Sequence, residues 1–219
     1  MRLLSSSVFA LPDSGLDLLP PVVPEFRSIS ISGAISGLGI ESTSLHNGTF
    51  DTHIIDATLL TPLGLKTRKE DPELWASTVG SNGTVSLVTE ATLALIPASS
   101  WVKLRYVFYE TPEEFAKTVL ENDCKEKKSW FGDVLCDAVV FGHGVIAMVG
   151  GCVNDEVERQ WTGARYRDHP ARPFFYQHVE EVSNLKKVRN GQMIHEELMP
   201  TLEYLFRYDR GGEFIQFPS

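Results

Sequence analysis

Two small-residue segments carry the clearest chemical potential. The first is Ile31-Ser32-Gly33-Ala34, followed by Gly37, Gly39 and Glu41-Ser42-Thr43-Ser44; the second is Gly80-Ser81-Asn82-Gly83-Thr84, directly before a long apolar stretch. Glycine lets a ligand approach backbone N–H groups, and successive N–H groups form a concave anion-binding nest. The hydroxyls of Ser42, Thr43 and Ser44 add potential donors to phosphate oxygens. Together these features suit a diphosphate held without a cationic clamp. Plain turn-making accounts for the same glycines on spacing alone. Neither G-x-x-x-x-G-K-[ST] nor G-x-G-x-x-G is present, so P-loop and Rossmann binding lack their sequence signal.

These segments must be held by the elements around them. Pro20-Pro21 and Pro24 force an extended approach, because each proline fixes φ and restricts the residue before it. Residues 28–50 alternate apolar and small polar types at first, which predicts a short strand running into a glycine-punctuated loop. His53–Pro62 predicts a strand, Leu63-Gly64 a hairpin turn, and the following residues a returning strand. Asp71 caps a short helix that opens with Pro72. Residues 84–98 predict a long strand and 101–110 another. Thr111-Pro112-Glu113-Glu114 opens a helix with a hydroxyl cap and an early proline. Residues 133–153 predict two strands around Phe141-Gly142-His143-Gly144, residues 173–185 an amphipathic helix, and residues 204–217 a segment ending in a strand. The change of pattern near residue 100 divides the chain, and the fold class is α+β.

Composition excludes several functions. The chain has 219 residues and a net charge of −9, so its surface repels phosphate backbones and nucleic acid is not an expected partner. Lys125, Lys127 and Lys128 lie among acidic residues and predict a solvated helix end. Cys124, Cys136 and Cys152 are odd in number and widely spaced, which fits neither a disulfide framework nor a zinc site. No run of about 18 apolar residues predicts a membrane span. Met1–Ala10 has three serines among its apolar residues and does not predict a secretory peptide. Asn47-Gly48-Thr49 and Asn82-Gly83-Thr84 match the glycosylation sequon and are better explained as turns. An intracellular location is expected, cytoplasmic or membrane-associated through an apolar substrate.

Several blocks occur in the order found in one family. "LPPVVPEFRSISISGAISGLGIESTSLHNGTFD", "ELWASTVGSNGTVSLVTEATLALIPASSWVKLRY", "FFYQHVEEV" and "YLFRYDRGGEF" together resemble the delta-24 sterol reductases, FAD-binding oxidoreductases built like vanillyl-alcohol oxidase (PCMH-type). The resemblance runs over about residues 18–217. It implies that residues 1–99 are the second half of an FAD-binding domain and residues 100–219 part of an α+β cap, or substrate, domain. It places Ser32, Gly33 and Ala34 at the FAD diphosphate, Gly39, Glu41, Ser42 and Thr43 beside the diphosphate and flavin ring, and Gly80, Gly83, Thr84, Ser86 and Leu87 along the cofactor. Pro21 and Val22 fall near the adenine-ribose entry. Ser32 and Ser86 stand where the family carries glycine, and Asn47 where it carries tyrosine. The N-terminal lobe that holds a linking histidine in some relatives has no counterpart here, so non-covalent FAD is expected.

The resemblance further implies reduction of an apolar, alkene-bearing substrate such as a sterol, terpenoid or polyketide, with NADPH as an electron source. A reductase also needs an acid within hydrogen-bond reach of its substrate. His143, His178, His195, Tyr176, Tyr208 and Glu180 are candidates, with His178, Tyr176 and Tyr208 foremost. His178 equally fits a satisfied helix histidine, and Arg207, Asp209 and Arg210 read as a surface ion-pair cluster. The alternative function is a non-redox pocket protein, either a lipophilic-ligand binder or a cyclase or isomerase. Strands with apolar residues on both faces predict a homo-oligomer, or a partner supplying the missing lobe.

Overall fold

The structure is a computed structural model that describes residues 2–4, 18–121, 135–142, 144–166, 174–184 and 192–209. It is mixed α and β with several sheets, and the chain divides into two compact units, Met1–Ala98 and Ser99–Ser219.

Unit 1 starts with strands β1 (Arg2–Leu4) and β2 (Leu18–Leu19). Helix α1 (Ile31–Ser36) occupies the place where alternation predicted a strand. The cause is local. Ser30 adopts an extended backbone and its Oγ accepts from Gly33 N at 3.0 Å, an N-cap. Ile31, Ala34 and Ile35 then fall on one buried helical face. Helix α2 (Ser44–Asn47) follows, then a 3₁₀ turn at Phe50–His53. Strands β3 (Ile54–Thr61) and β4 (Gly64–Thr67) pair as a hairpin in which Thr61 faces Gly64. The two-residue turn is therefore Pro62-Leu63, one residue earlier than predicted. Proline suits it, lacking the N–H that a strand needs.

Helix α3 (Pro72–Thr78) is capped as expected, with Asp71 Oδ1 accepting from Leu74 N at 3.0 Å. The long apolar stretch after Gly83 yields β5 (Leu87–Leu93) and the short β6 (Ile96–Pro97), which pairs with β2. The main sheet runs β1-β5-β3-β4, all antiparallel. Ile54, Ala57, Leu59, Val88, Ala91 and Leu93 are buried within it.

Unit 2 is built on β7 (Trp101–Tyr109), the centre of a five-stranded sheet. After it come α4 (Pro112–Glu121), β8 (Leu135–Phe141), β9 (Gly144–Val153), α5 (Asp155–Gln160), β10 (Ala164–Arg165), α6 (Phe175–Asn184), β11 (Gln192–Pro200) and α7 (Thr201–Leu205). The order is β10-β11-β7-β9-β8, antiparallel except for β10 beside β11. Thr111 Oγ1 accepts from Glu114 N at 3.2 Å, the expected start of α4.

Strand alternation sorts the residues of unit 2 by face. On one face Phe115 and Val119 of α4 pack over Val107, Tyr109, Val145, Ala147 and Val149. Register places Tyr106 beside His195 and Met148, Leu104 beside Glu197, and Asp137 beside Met148, all on the opposite face. That face carries the polar cluster described below.

Tyr204 and Leu205, which open the predicted terminal segment, close α7; residues 206–208 continue as a turn, and residues 210–217, with the predicted terminal strand, lie outside the described set. His143, Cys124, Arg210 and the lysines at 125, 127 and 128 also lie outside it. No helix among the described residues is long and apolar enough to cross a membrane.

Candidate functional site

The fold brings the two small-residue segments of unit 1 together. Gly80 N donates to Ile35 O at 3.2 Å and Asn82 N to Ser36 O at 2.8 Å. The loop after α3 thus closes over the C-terminal carbonyls of α1, which a short helix leaves unsatisfied. Three residues in this loop have left-handed backbone: Gly80 at φ 69°, Asn82 at φ 50° and Gly83 at φ 76°. A Cβ built on Gly83 would meet nothing within 4 Å, so this edge of the loop is open. Thr84, exposed beside it, bonds back through Oγ1 to Ser81 O at 2.8 Å. Leu87 follows at 56% exposure at the head of β5.

Most hydroxyls nearby are committed to the fold. Ser30 Oγ caps Gly33 N, Ser44 Oγ accepts from Glu41 N at 2.9 Å, and Thr43 Oγ1 donates to Pro21 O at 2.9 Å. Asn47 Nδ2 donates to the same Pro21 carbonyl at 3.0 Å, so the residue that departs from the family's tyrosine ties down the proline approach. Ser32 is half-buried and contributes its carbonyl to Ser36 Oγ at 2.9 Å; Ser42 is buried. Ala34 is core, and Gly39 is a close-packing glycine whose Cβ would sit 3.2 Å from Ala34 O and from Phe50 Cβ. Ser86 is 6% exposed, with Oγ 2.6 Å from that of the fully buried Thr78. Thr78 Oγ1 donates to Leu74 O at 2.8 Å, so Ser86 supplies the proton between the two hydroxyls.

In unit 2 the buried face of the sheet holds a side-chain cluster centred on Glu197, 1% exposed. Tyr106, wholly buried, donates its hydroxyl to Glu197 Oε1. His178 Nε2 lies 3.0 Å from the same oxygen, and His195 Nε2 lies 3.7 Å from Oε2. His178 descends from α6 and stands edge-on to Tyr106 and Tyr166, at centroid distances of 6.0 and 5.1 Å. Burial alone would raise the Glu197 pKa, since it disfavours the charged form. His178, then His195 and Tyr106, outweigh that and hold the carboxyl at about 2, against an ordinary 4.5. Burial, then the adjacent Glu197 charge, pushes the Tyr106 phenol well above its usual range.

A second polar group lies on the same face. Arg207 Nη2 is 2.6 Å from Asp137 Oδ2, and Tyr208 Oη donates to that oxygen at 2.9 Å. Arg207 is 4% exposed and sits over the rings of Tyr204, Tyr208 and Phe175. The surface ion-pair reading of Arg207 is therefore corrected: its guanidinium is an interior group, flanked by aromatic rings and paired with Asp137 from β8. Tyr176 stands apart, 40% exposed and stacked on Phe174 at 6.0 Å.

Sequence reasoning passed over Glu197, Tyr106 and Asp137. A signal was present for the first: His195 and Glu197 are two apart in a strand-like stretch, which puts both on one face of a strand. Tyr106 and Asp137 join them only through sheet register, which no local pattern reveals.

No protein-family model matches the chain. Curated proteins do. The chain is 28% identical to the Delta(24)-sterol reductase of Mus musculus over 197 residues, 87% of this chain and 35% of that protein. It is 28% identical to a Delta(24)-sterol reductase homolog of Caenorhabditis elegans over 211 residues, 87% of this chain and 37% of that one. The chain is similar to the Delta(24)-sterol reductases over most of its length. It spans about a third of their length. The similarity to the sterol reductases covers too much of the chain to lie within one unit. A shorter match, 33% identical over 85 residues, covers 36% of this chain and 18% of the decaprenylphosphoryl-beta-D-ribose oxidase of Mycolicibacterium smegmatis. All three relatives are oxidoreductases by name.

Proposed function

We propose that this chain is part of an FAD-dependent oxidoreductase that reduces an apolar, alkene-bearing substrate, with unit 1 contributing half of a PCMH-type flavin domain and unit 2 part of the cap domain. The observation that carries the reading is the closure of the Gly80–Thr84 loop onto the end of α1, which joins the two segments expected at the diphosphate. The open edge at Gly83 fits such a group, because a ligand can approach the backbone there without meeting a side chain.

Gly80, Gly83, Thr84 and Leu87 would hold the diphosphate edge, with Ser32, Gly33, Ala34, Gly39, Glu41, Ser42 and Thr43 forming the wall behind it. Gly33 N is taken by the Ser30 cap, and Ser86 faces Thr78, so these two act by shaping the site. FAD would supply the hydride chemistry when bound, non-covalently, and NADPH is the proposed source of electrons. The remaining requirement on this chain is a proton for the second alkene carbon. Among the three foremost acids, His178 is locked to Glu197 and Tyr208 to Asp137, whereas Tyr176 is accessible to an incoming substrate.

The alternative is a non-redox binder of an apolar ligand, favoured by the commitment of so many hydroxyls to internal bonds. Absorbance and fluorescence titration with FAD distinguish the two. The flavin reading requires saturable binding that Gly83→Val abolishes while circular dichroism stays unchanged, since a β-branched residue resists φ near 76°. Undiminished binding by Gly83→Val removes the loop from the site, and no binding at all favours the alternative.

A further inference from the structure

We propose that His178, His195 and Glu197 form a binding site for one divalent first-row transition-metal ion, held entirely within unit 2 and independent of the flavin reading. One ring nitrogen of His178, one of His195 and a carboxylate oxygen of Glu197 lie within 4.8 Å of one another. His178 Nε2 stands 3.0 Å from Glu197 Oε1, and His195 Nε2 stands 3.7 Å from Oε2. Ligand bonds of about 2.0–2.1 Å in a tetrahedral zinc site place neighbouring ligand atoms roughly 3.3–3.4 Å apart. Each imidazole therefore stands close to that spacing from one carboxylate oxygen, and the whole set lies within about one and a half times it.

The donor set is selective by type. Two imidazoles and one carboxylate suit zinc, iron or cobalt, and magnesium or calcium poorly, because those ions prefer all-oxygen shells. The ligands also come from a stiff base. His195 and Glu197 are alternate residues on the same face of β11, next to the central strand β7, and His178 reaches them from α6. Tyr106 donates to Glu197 Oε1, which fixes the carboxylate plane as outer partners of ligating carboxylates do. Burial differs across the set: His178 and Glu197 side chains are 7% and 2% exposed, whereas His195 is 29% exposed. The ion would enter from the His195 side, and its fourth position would face solvent. Three protein ligands with one open position is the pattern of reactive, rather than purely structural, zinc sites.

The test uses the full chain, stripped with EDTA and titrated with Zn²⁺ by calorimetry, with metal content measured after gel filtration. One ion per chain is expected, together with a rise in melting temperature from binding to the folded state alone. His195→Ala and Glu197→Gln should each weaken binding at least tenfold and remove that rise, with circular dichroism unchanged. Glu197→Gln keeps an oxygen for the Tyr106 hydroxyl, so it separates loss of the metal from loss of the fold. Co²⁺ in place of Zn²⁺ should give visible bands without a thiolate charge-transfer band, which sets this site apart from Cys136 or Cys152. Retention of no ion, retention undiminished by His195→Ala, or a thiolate band would overturn the proposal.

Discussion

Removing one hydroxyl tests how the Glu197 cluster is held. Tyr106→Phe leaves a ring that is wholly buried and deletes only the donor to Glu197 Oε1. Glu197 is 1% exposed, so water cannot replace the lost donor. A hydrogen bond to a buried charge contributes about 1.5–3 kcal/mol, and a loss of about 2 kcal/mol is expected at pH 7. The pH dependence carries more information. Lowering the Glu197 pKa from 4.5 to about 2 corresponds to roughly 3 kcal/mol of stability in the folded state. A depressed folded pKa means that this stability is complete above the unfolded value and is lost as pH falls through the folded one. Tyr106 supplies part of that depression. The deficit of Tyr106→Phe should therefore be full at pH 7 and shrink between about pH 4.5 and pH 2, as the carboxyl becomes protonated. The two units need not unfold together, so hydrogen exchange at the amides of β7 and β11, in urea with EDTA, reads the correct transition. A deficit below about 0.5 kcal/mol, or one equal at pH 7 and pH 3, would show that the hydroxyl does not stabilise the ionised carboxylate.

Two further outcomes concern unit 1. Ser86→Gly should lower stability by about 1–2 kcal/mol in thermal melts, because it deletes a buried hydroxyl that donates to Thr78 and loosens the chain before β5; tighter flavin binding with no loss of stability would show that Ser86 crowds the cofactor instead. Leu65, Leu60 and Leu87 are cross-strand neighbours exposed by 63%, 42% and 56%, an apolar row across three strands. Light scattering after size exclusion should find a homodimer that Leu60→Glu dissociates, and a wild-type monomer near 24.4 kDa would refute it.

Elements with strong local signals were legible in the sequence. Asp71-Pro72 and Thr111-Pro112 marked helix starts because a side-chain oxygen and a fixed φ act within one turn. Strands β7, β8 and β9 were legible from their apolar runs. Residues 29–36 were misread because Ile29, Ile31 and Ile35 fit a period of two, while Ile31, Ala34 and Ile35 fit the i, i+3, i+4 spacing of a helix face. The Ser30 cap, a single hydrogen bond, decided for helix. Arg207 was misread for a different reason. Asp209 and Arg210 follow it closely in sequence, but its partner Asp137 is 70 residues away and its surrounding rings come from α6 and α7 as well as from Tyr208. Burial of a charged group depends on such distant partners, and composition within a window carries no trace of them.

The distribution of donors in unit 1 constrains what a ligand there can use. Ser30, Thr43, Ser44, Thr78 and Ser86 all spend their hydroxyls on backbone groups or on each other. The N–H groups of Gly80, Ser81, Asn82 and Thr84 are likewise spent on the carbonyls of Ile35, Thr78, Ser36 and Ser81, so a diphosphate arriving at this site would meet the backbone at Gly83, where no side chain intervenes. Hydroxyl substitutions behind the loop should then act through stability, with ligand affinity changing only as the loop loosens. A substitution at Gly83 should act in the opposite manner, altering affinity first. Comparing Ser86→Gly with Gly83→Val on the same preparation, melting temperature against flavin affinity, separates backbone contact at Gly83 from a hydroxyl-lined pocket. Equal losses of affinity at matched stability would reject the backbone contact.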